Sequence, residues 1–163
     1  MQFLTGLITN KVFLSAAGAW FVAQLSKVLL DMIRGKFTPD RLAGSGGMPS
    51  SHSATVTGLA VSTALMEGSH SSGFVIALFL AIIVIYDALG VRKTTGEQSR
   101  ILNRMRRHEP AASEDPLDGK PLQEHMGHTI PEIIVGILIG AAAALIVNML
   151  HIPPALSGIT GSH

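Results

Sequence analysis

Residues 73–89 read GFVIALFLAIIVIYDAL, the most hydrophobic stretch of the chain. A helix needs about 20 residues to cross the hydrocarbon core of a bilayer, and two further apolar blocks, 12–33 and 131–150, are long enough to do so. A fourth block, 51–66, is shorter and rich in Ser, Thr and Ala, so it can span only if it is tilted or sheltered among its neighbours. The pattern predicts an all-α integral membrane bundle of about four transmembrane helices with a long loop before the last one.

The composition of the 163 residues supports one membrane domain, 1–163. Hydrophobic residues make up 47% and charged residues only 14%, against about 25% charged in soluble domains. The net charge of +1 gives no electrostatic case for nucleic acid as a partner, and the absence of cysteine excludes disulfides, thiolate nucleophiles and Cys-ligated metal sites. No basic residue precedes Lys11, which favours a retained first helix over a cleaved signal peptide.

The basic residues predict how the four spans are oriented. With all four blocks spanning, one side of the membrane receives Lys11 alone, whereas the other receives ten Lys and Arg in the 34–50 and 91–130 loops. The positive-inside rule places that second side in the cytoplasm. The basic half of the longer loop, 92–107, fits either an interfacial helix on anionic headgroups or a solvated loop, and the half that follows is expected to be mobile.

Small residues in the fourth block predict close helix packing. Gly136 and Gly140 are four residues apart and are followed by alanines at 141–144. Such a face lets two helix backbones approach each other in a membrane. We interpret it as packing rather than chemistry.

Ionisable residues at the ends of the spans are costly unless they are paired or wetted. Lys27, Asp31 and Arg34 recur at i, i+4 and i+7, so they share one face at the end of the first helix. They form either a cationic site or a snorkelling cluster in which Asp31 neutralises one cation. Asp87, near the end of the third block, is closely followed by Arg92, and a structural ion pair is the default interpretation there.

The segment 44–58, GSGGMPSSHSATVTG, leads into the second block. Gly47 and the glycines before it leave the backbone unobstructed, and Ser50 and Ser51 offer N-cap hydroxyls to the helix that follows. A helix N-terminus beside glycines suits a phosphate, and His52 falls in the first turn, where it can meet a bound anion. A flexible loop with an ordinary cap explains the glycines and serines but not the histidine.

The segment 127–132, GHTIPE, opens the fourth block. His128 and Glu132 are four residues apart, so in helical backbone the carboxylate can hold one imidazole nitrogen, fix the tautomer and make the other nitrogen more nucleophilic. A metal site built from His125, His128 and Glu132 is an alternative, but the HExxH pattern is absent and we expect neither metal nor cofactor. An incidental histidine at a helix end is the other alternative.

The predicted topology brings these clusters together. The end of the first helix and the starts of the second and fourth all open on the same side of the membrane. Cations, a helix N-terminus with a histidine, and a His–Glu pair would then surround one small anion. The sequence therefore predicts a site that handles phosphate at the membrane surface.

These residues resemble the type-2 phosphatidic acid phosphatase (PAP2) superfamily, whose pattern is K-x6-R-P, then P-S-G-H, then S-R-x5-H-x3-D. The matching positions are Lys27-x6-Arg34 without the proline, residues 49–52 (PSSH) with Ser for Gly, and His128-x3-Glu132 with Glu for Asp. Leu122 stands where the third motif has its arginine. This departure weakens the expectation of catalysis.

The arrangement looks closer still to the divergent PAP2 family of small bacterial and plastid membrane proteins. GGMPSSHSA at 46–54, the D-x2-GVR stretch that begins at Asp87, and GHT-x-PE at 127–132 carry this resemblance, which covers about residues 10–150. It implies a bacterial plasma membrane or a plastid membrane as the location.

The resemblance also implies roles for the site residues. His128 would attack phosphorus to give a phosphohistidine, Glu132 would orient it, and His52 would protonate the leaving group and then activate water. The phosphate-binding set would be Lys27, Arg34, Ser50, Ser51 and, in place of the missing arginine, Arg92, with Asp87, Gly47 and Gly127 supporting it. The implied function is an acid-phosphatase-like hydrolase of a lipid-linked phosphomonoester or diphosphate among membrane lipids.

Two other functions compete with this hypothesis. A non-catalytic phospholipid-binding or lipid-transport protein would keep the phosphate cradle without turnover, and Leu122 supports it. A structural subunit of a membrane complex is a weaker alternative, favoured by the short second span and the small-residue face of the fourth block. The substrate and the oligomeric state do not follow from the sequence.

Overall fold

A computed structural model describes residues 2–35, 47–108, 120–124 and 126–150, and in these ranges the chain is all-α, with no strand. The helices are α1 (Gln2–Thr9), α2 (Lys11–Ile33), α3 (Ser51–Glu67), α4 (Ser72–Leu89), α5 (Val91–His108) and α6 (Ile130–Met149). The predicted all-α fold is therefore confirmed. Helices α2, α3, α4 and α6 coincide with the four apolar blocks.

Three helices are long and apolar enough to cross a membrane: α2, α4 together with its continuation into α5, and α6. Their large apolar side chains face outward, and Phe21, Phe79 and Leu138 are each more than half exposed. A protein surrounded by water would bury such residues, whereas one surrounded by hydrocarbon exposes them. The predicted membrane bundle fits this surface.

Helix α3 lies at the centre of the bundle and packs against α2, α4 and α6. Apart from Val56, the buried residues of α3 are small or polar and include Ser53, Ala54, Gly58 and Ser62. A Cβ on Gly58 would lie 3.0 Å from the carbonyl oxygen of Ser15 in α2, so the two backbones are in close contact. The short second block is thus sheltered among its neighbours, as the sequence required of it.

Helix α6 contacts α3 through its two glycines. A Cβ on Gly136 would lie 2.5 Å from the carbonyl oxygen of Ser50, and one on Gly140 would overlap the carbonyl oxygen of Ala54. The prediction that these glycines permit close packing is confirmed, because any side chain there would force the helices apart. This contact brings the starts of α3 and α6 to the same end of the bundle.

The 91–130 region is not an open loop in its described parts. Residues 91–108 form helix α5, so the basic stretch is a helix rather than a solvated loop. Residues 120–124 and 126–128, hereafter the docked segment, lie along α5. The stretch 109–119, predicted to be mobile, and Gly44 and Gly46 of the cradle lie outside the described residues.

Buried Asn103 of α5 holds the docked segment. Its side-chain amide donates to the carbonyl oxygen of Leu122 and to Oε1 of Glu124, both at 2.8 Å, and its oxygen accepts from the Leu122 N–H at 2.9 Å. A Cβ on Gly96 would lie 2.7 Å from the carbonyl oxygen of Glu124. The absence of a side chain at Gly96 therefore lets the segment approach the backbone of α5.

Candidate functional site

His128 lies two residues before α6 and is almost fully buried, at 5% exposure. Its backbone N–H donates to the carbonyl oxygen of Ala88 at the end of α4, at 3.1 Å. The preceding Gly127 has φ +87°, and a Cβ there would lie 2.6 Å from the backbone nitrogen of Lys93. Since a side chain fits neither this conformation nor this space, the glycine is what allows His128 to be anchored at the junction of α4 and α5.

Glu132, in the first turn of α6, orients the ring of His128. Its Oε2 lies 3.2 Å from His128 Nδ1 and also accepts from the backbone N–H of Thr129 at 3.0 Å. When Nδ1 carries the proton and donates it to the carboxylate, the lone pair of the neutral ring is on Nε2. His128 Nε2 is buried and has no hydrogen-bond partner in the described part of the chain.

Burial lowers the pKa of His128 below the ordinary histidine value, and this effect outweighs Glu132, which raises the pKa. The positive charges of Lys27 and Arg92 lower the pKa of His128 further. His128 is therefore neutral at pH 7. The neutral imidazole is the form that can act as a nucleophile.

His52 lies in the first turn of α3 and is exposed. The centroid of its ring is 6.3 Å from that of His128, and the two rings are tilted by 57°. The starts of α3 and α6 are joined by the backbone N–H of Ser50, which donates to the carbonyl oxygen of Glu132 at 3.0 Å. The two histidines, 76 positions apart in the sequence, therefore face one region of the protein.

The start of α3 is built as the sequence predicts. Ser50 is the N-cap, and its Oγ accepts from the backbone N–H of Ser53 at 3.3 Å and from the Ser53 hydroxyl at 3.0 Å. Ser51 is the first helical residue, and its carbonyl oxygen accepts from the Thr55 hydroxyl at 2.7 Å. The helix N-terminus therefore begins one residue before His52.

Lys27 of α2 and Arg92 of α5 supply positive charge beside the histidines. The charges of both residues act on both imidazoles. Lys27 is buried and lies against Gly47, where a Cβ would be 2.9 Å from Lys27 Cε, and Gly47 has φ +106°. Arg92 Nε donates to Asp87 Oδ2, so the predicted ion pair is present.

Two positions of the family motif, 34 and 122, do not supply the charges that act on the histidines. Arg34 is the C-cap of α2 and is exposed, and the cations that act on the two imidazoles are instead Lys27 and Arg92. Leu122, at the position of the missing motif arginine, is bound through its backbone to Asn103. Arg92 is therefore a better candidate than Arg34 for the role that the motif gives to an arginine.

Asn103 and Ala88 were not identified as site-positioning residues by sequence reasoning. Asn103 acts through a segment 19 residues away, and Ala88 acts through a backbone carbonyl. Asn103 lies downstream of the GVR stretch in the family pattern, but that pattern does not indicate which segment it binds. Within the described ranges no three His, Cys, Asp or Glu side chains converge as metal ligands, and His125, one ligand of the alternative metal site, lies outside them.

Comparison with known proteins identifies the family of the chain. The family model of the divergent PAP2 family matches residues 8–143, which confirms the resemblance read from the motifs. A similar protein is the uncharacterized membrane protein YuiD of Bacillus subtilis (strain 168), 36% identical over 151 residues that cover 86% of this chain and 95% of the relative. No solved structure gives a significant match.

Proposed function

We infer that the chain, which belongs to the divergent PAP2 family, is a membrane phosphatase for a lipid-linked phosphomonoester or diphosphate. The observation that carries this inference is the pair of imidazoles 6.3 Å apart, of which His128 is oriented by Glu132 and presents a buried Nε2 without a partner. Two cations beside the neutral ring of His128 disfavour its protonation and attract an anion. A phosphoryl group is such an anion, and its phosphorus can be attacked by the free Nε2 of His128.

In the first step, the Nε2 lone pair of His128 attacks phosphorus, and the bond from phosphorus to the lipid oxygen breaks. His52 donates a proton to that oxygen, so the lipid leaves as an alcohol, or as a monophosphate when the substrate is a diphosphate. Glu132 accepts the Nδ1 hydrogen bond of His128, which strengthens as the ring becomes positively charged. The product is a phosphohistidine.

In the second step, His52, now neutral, takes a proton from water while the water oxygen attacks phosphorus. The bond between phosphorus and His128 Nε2 breaks, inorganic phosphate is released, and both rings return to their starting protonation states. Phosphoryl transfer depends on stabilising charge on the equatorial oxygens. Lys27, Arg92 and the N-terminal amides of α3, beside Ser50 and Ser51, would do this, and Arg34, exposed at the end of α2, would contribute less.

The lipid part of the substrate would remain in the bilayer. The histidines lie where α3 and α6 begin, so a headgroup can enter the site while its chains stay beside the apolar outer face. Isoprenoid and glycerolipid phosphates have this form. The excess of Lys and Arg in the flanking segments supports a site on the cytoplasmic side of a bacterial or plastid membrane.

A non-catalytic phospholipid-binding or transport protein is the second candidate. Two observations favour it: the motif arginine is replaced by Leu122, and Arg34 is exposed at the end of α2. Such a protein would bind the same headgroups through the same cations. It would release no phosphate.

Purified full-length protein in liposomes, assayed for phosphate release from phosphatidic acid and from a polyprenyl diphosphate, separates the two functions. We expect release that requires both His52 and His128. The matched control is Asn148→Ala, which lies at the far end of α6 and should keep the activity. Stoichiometric binding of both lipids without release by the unmodified protein would replace the phosphatase with the binding protein.

A further inference from the structure

Helix α5 has three distinct faces. Buried Gly96, Ser99 and Asn103 lie at i, i+3 and i+7 and form the face that packs against the protein. A second stripe is basic and exposed, and it contains Lys93, Arg100 and Arg104. The third face is apolar over its second half, where Ile101, Leu102 and Met105 are exposed, and it begins with exposed Val91, with the polar Thr94 and Gln98 between them.

The apolar face is not covered by the described part of the protein. The side chains of Val91, Ile101 and Met105 are 61%, 59% and 58% exposed. A helix at a water-facing position would carry polar residues there, because apolar surface in water is unfavourable. This face therefore requires an apolar environment outside the protein.

Helix α5 starts close to the hydrocarbon of the membrane. Only Gly90 separates it from α4, and α4 is among the helices long and apolar enough to cross a membrane. Val91, the first residue of α5, therefore lies where α4 leaves the hydrocarbon. The helix also carries six Lys and Arg against one Glu, which complements the negative surface of an anionic bilayer.

We propose that α5 is a membrane-surface helix whose apolar face lies among the lipid chains and whose basic stripe binds anionic phospholipid headgroups. An adjacent apolar face and basic stripe are the arrangement that seats a helix in the plane of the interface. The consequence for the site follows from the buried face of α5. Asn103 binds the docked segment and Gly96 leaves room for it, so the lipid that seats α5 also fixes the chain that leads to His128.

The depth of single nitroxide labels in full-length protein tests this proposal, and it needs no enzymatic turnover. The natural chain has no cysteine, so Met105→Cys on the apolar face and Arg104→Cys on the basic stripe give a matched pair of neighbouring labels. Leu138→Cys on the exposed face of α6 provides the lipid reference. The protein is reconstituted in phosphatidylcholine vesicles with and without phosphatidylglycerol, and collision of each label with oxygen and with a water-soluble nickel complex is measured.

We expect the label at 105 to collide with oxygen almost as often as the reference label and to be protected from nickel, while the label at 104 shows the reverse. Phosphatidylglycerol should increase the protection at 105, and the double change Lys93→Gln with Arg104→Gln should abolish that increase; Arg100 is left in place because it pairs with Glu124 of the docked segment. Equal nickel access at both positions in anionic vesicles would overturn the proposal. So would spin–spin broadening at 105 that disappears on dilution with unlabelled protein, because a second copy of the chain would then cover the face.

Discussion

The two ends of the bundle are both polar, but they are polar in different ways. One end, the site end, holds Lys27, His52, His128, Glu132 and Arg92. The other, the distal end, holds Lys11, Ser15, Ser62 and Asn148. Sixteen residues of α2 separate Lys11 from Lys27, which corresponds to about 24 Å along a helix.

At the distal end the polar groups bind one another. Lys11 donates to the carbonyl oxygen of Asn148 at the end of α6, where a cation is also favoured by the helix dipole. Asn148 Nδ2 donates to Ser62 Oγ at 2.9 Å and to the carbonyl oxygen of Ala144 at 2.8 Å, although its side-chain Oδ1 has no partner in the described ranges. The Ser15 hydroxyl donates to the carbonyl oxygen of Lys11 at 2.7 Å. This end joins α2, α3 and α6.

At the site end, the cations Lys27 and Arg92 lie beside the neutral ring of His128. Both disfavour its protonated form, and its Nε2 makes no hydrogen bond within the described part of the chain. Such an arrangement does not maximise the stability of the fold. Proteins tolerate groups of this kind mainly at functional sites. The comparison therefore predicts that changes at the site end reduce activity, whereas changes at the distal end reduce stability.

The largest effect is expected for His128→Ala. Removing the nucleophile should lower phosphate release by about 10⁴-fold or more, because no other group can take its place. The melting temperature in detergent should fall somewhat through the loss of the buried ring and its Nδ1 bond to Glu132, but the protein should stay folded at the assay temperature. Activity and melting temperature measured on the same preparation check both statements. An active His128→Ala protein would show that the site end is not where phosphate is released, and would contradict the contrast drawn between the two ends.

A smaller loss is expected for His52→Ala. This ring is exposed, so its removal leaves the packing of α3 in place. General acid–base catalysis contributes about 10²- to 10⁴-fold, and the turnover rate should fall within that range. With a substrate whose leaving group has a low pKa, such as p-nitrophenol, the first step should be slowed less, because that leaving group departs without a proton. Equal losses for every leaving group would argue against a proton-donor role.

Lys27→Met should weaken substrate binding rather than abolish turnover. Hydrogen bonds to charged groups contribute about 1.5–3 kcal/mol, which corresponds to a rise in KM of about 10- to 100-fold. The matched comparison is Arg34→Met, because Arg34 belongs to the same sequence motif but is exposed. We expect the smaller change for Arg34. A larger effect of Arg34 on KM would reverse the assignment of the two cations.

The prediction for the distal end is a change in stability. Asn148→Ala removes two hydrogen bonds, to Ser62 and Ala144, and should lower the free energy of unfolding by about 1 kcal/mol. Phosphate release per folded molecule should stay the same. A loss of activity without a loss of stability would show that the distal end also takes part in function.

The smallest effect concerns the proton on His128. Because its pKa is lowered in the folded protein, the unfolded chain takes up this proton first as the pH falls, and acid therefore destabilises the fold. Glu132→Gln removes an influence that raises this pKa and should lower it further. NMR titration of labelled histidine, with His128→Gln to assign the signal, measures both values. A His128 pKa above the ordinary histidine value would contradict the account.

Local patterns predicted the helices and much of the site. Hydrophobic blocks located α2, α4 and α6, the glycines at 136 and 140 predicted the contact with α3, and the i, i+4 spacing predicted the bond from Glu132 to His128. These features depend on residues within a turn or two of one another. Periodicity and spacing are sufficient for such cases.

Features that depend on distant parts of the chain were not predictable in the same way. The choice of Arg92 over Arg34 beside the histidines depends on where α5 begins relative to α6. The link from Asn103 to the docked segment crosses 19 residues, including a stretch whose composition predicts no structure. Spacing along the sequence carries no information about either contact.

Trapping the phosphorylated enzyme tests the central claim most directly. Full-length protein is mixed with a ³²P-labelled lipid phosphate, quenched in base after milliseconds, and digested for mass spectrometry. The account predicts an acid-labile, base-stable phosphate on His128, absent from His128→Ala and longer-lived in His52→Ala. Phosphate release without any labelled histidine, or a label on a different residue, would contradict it.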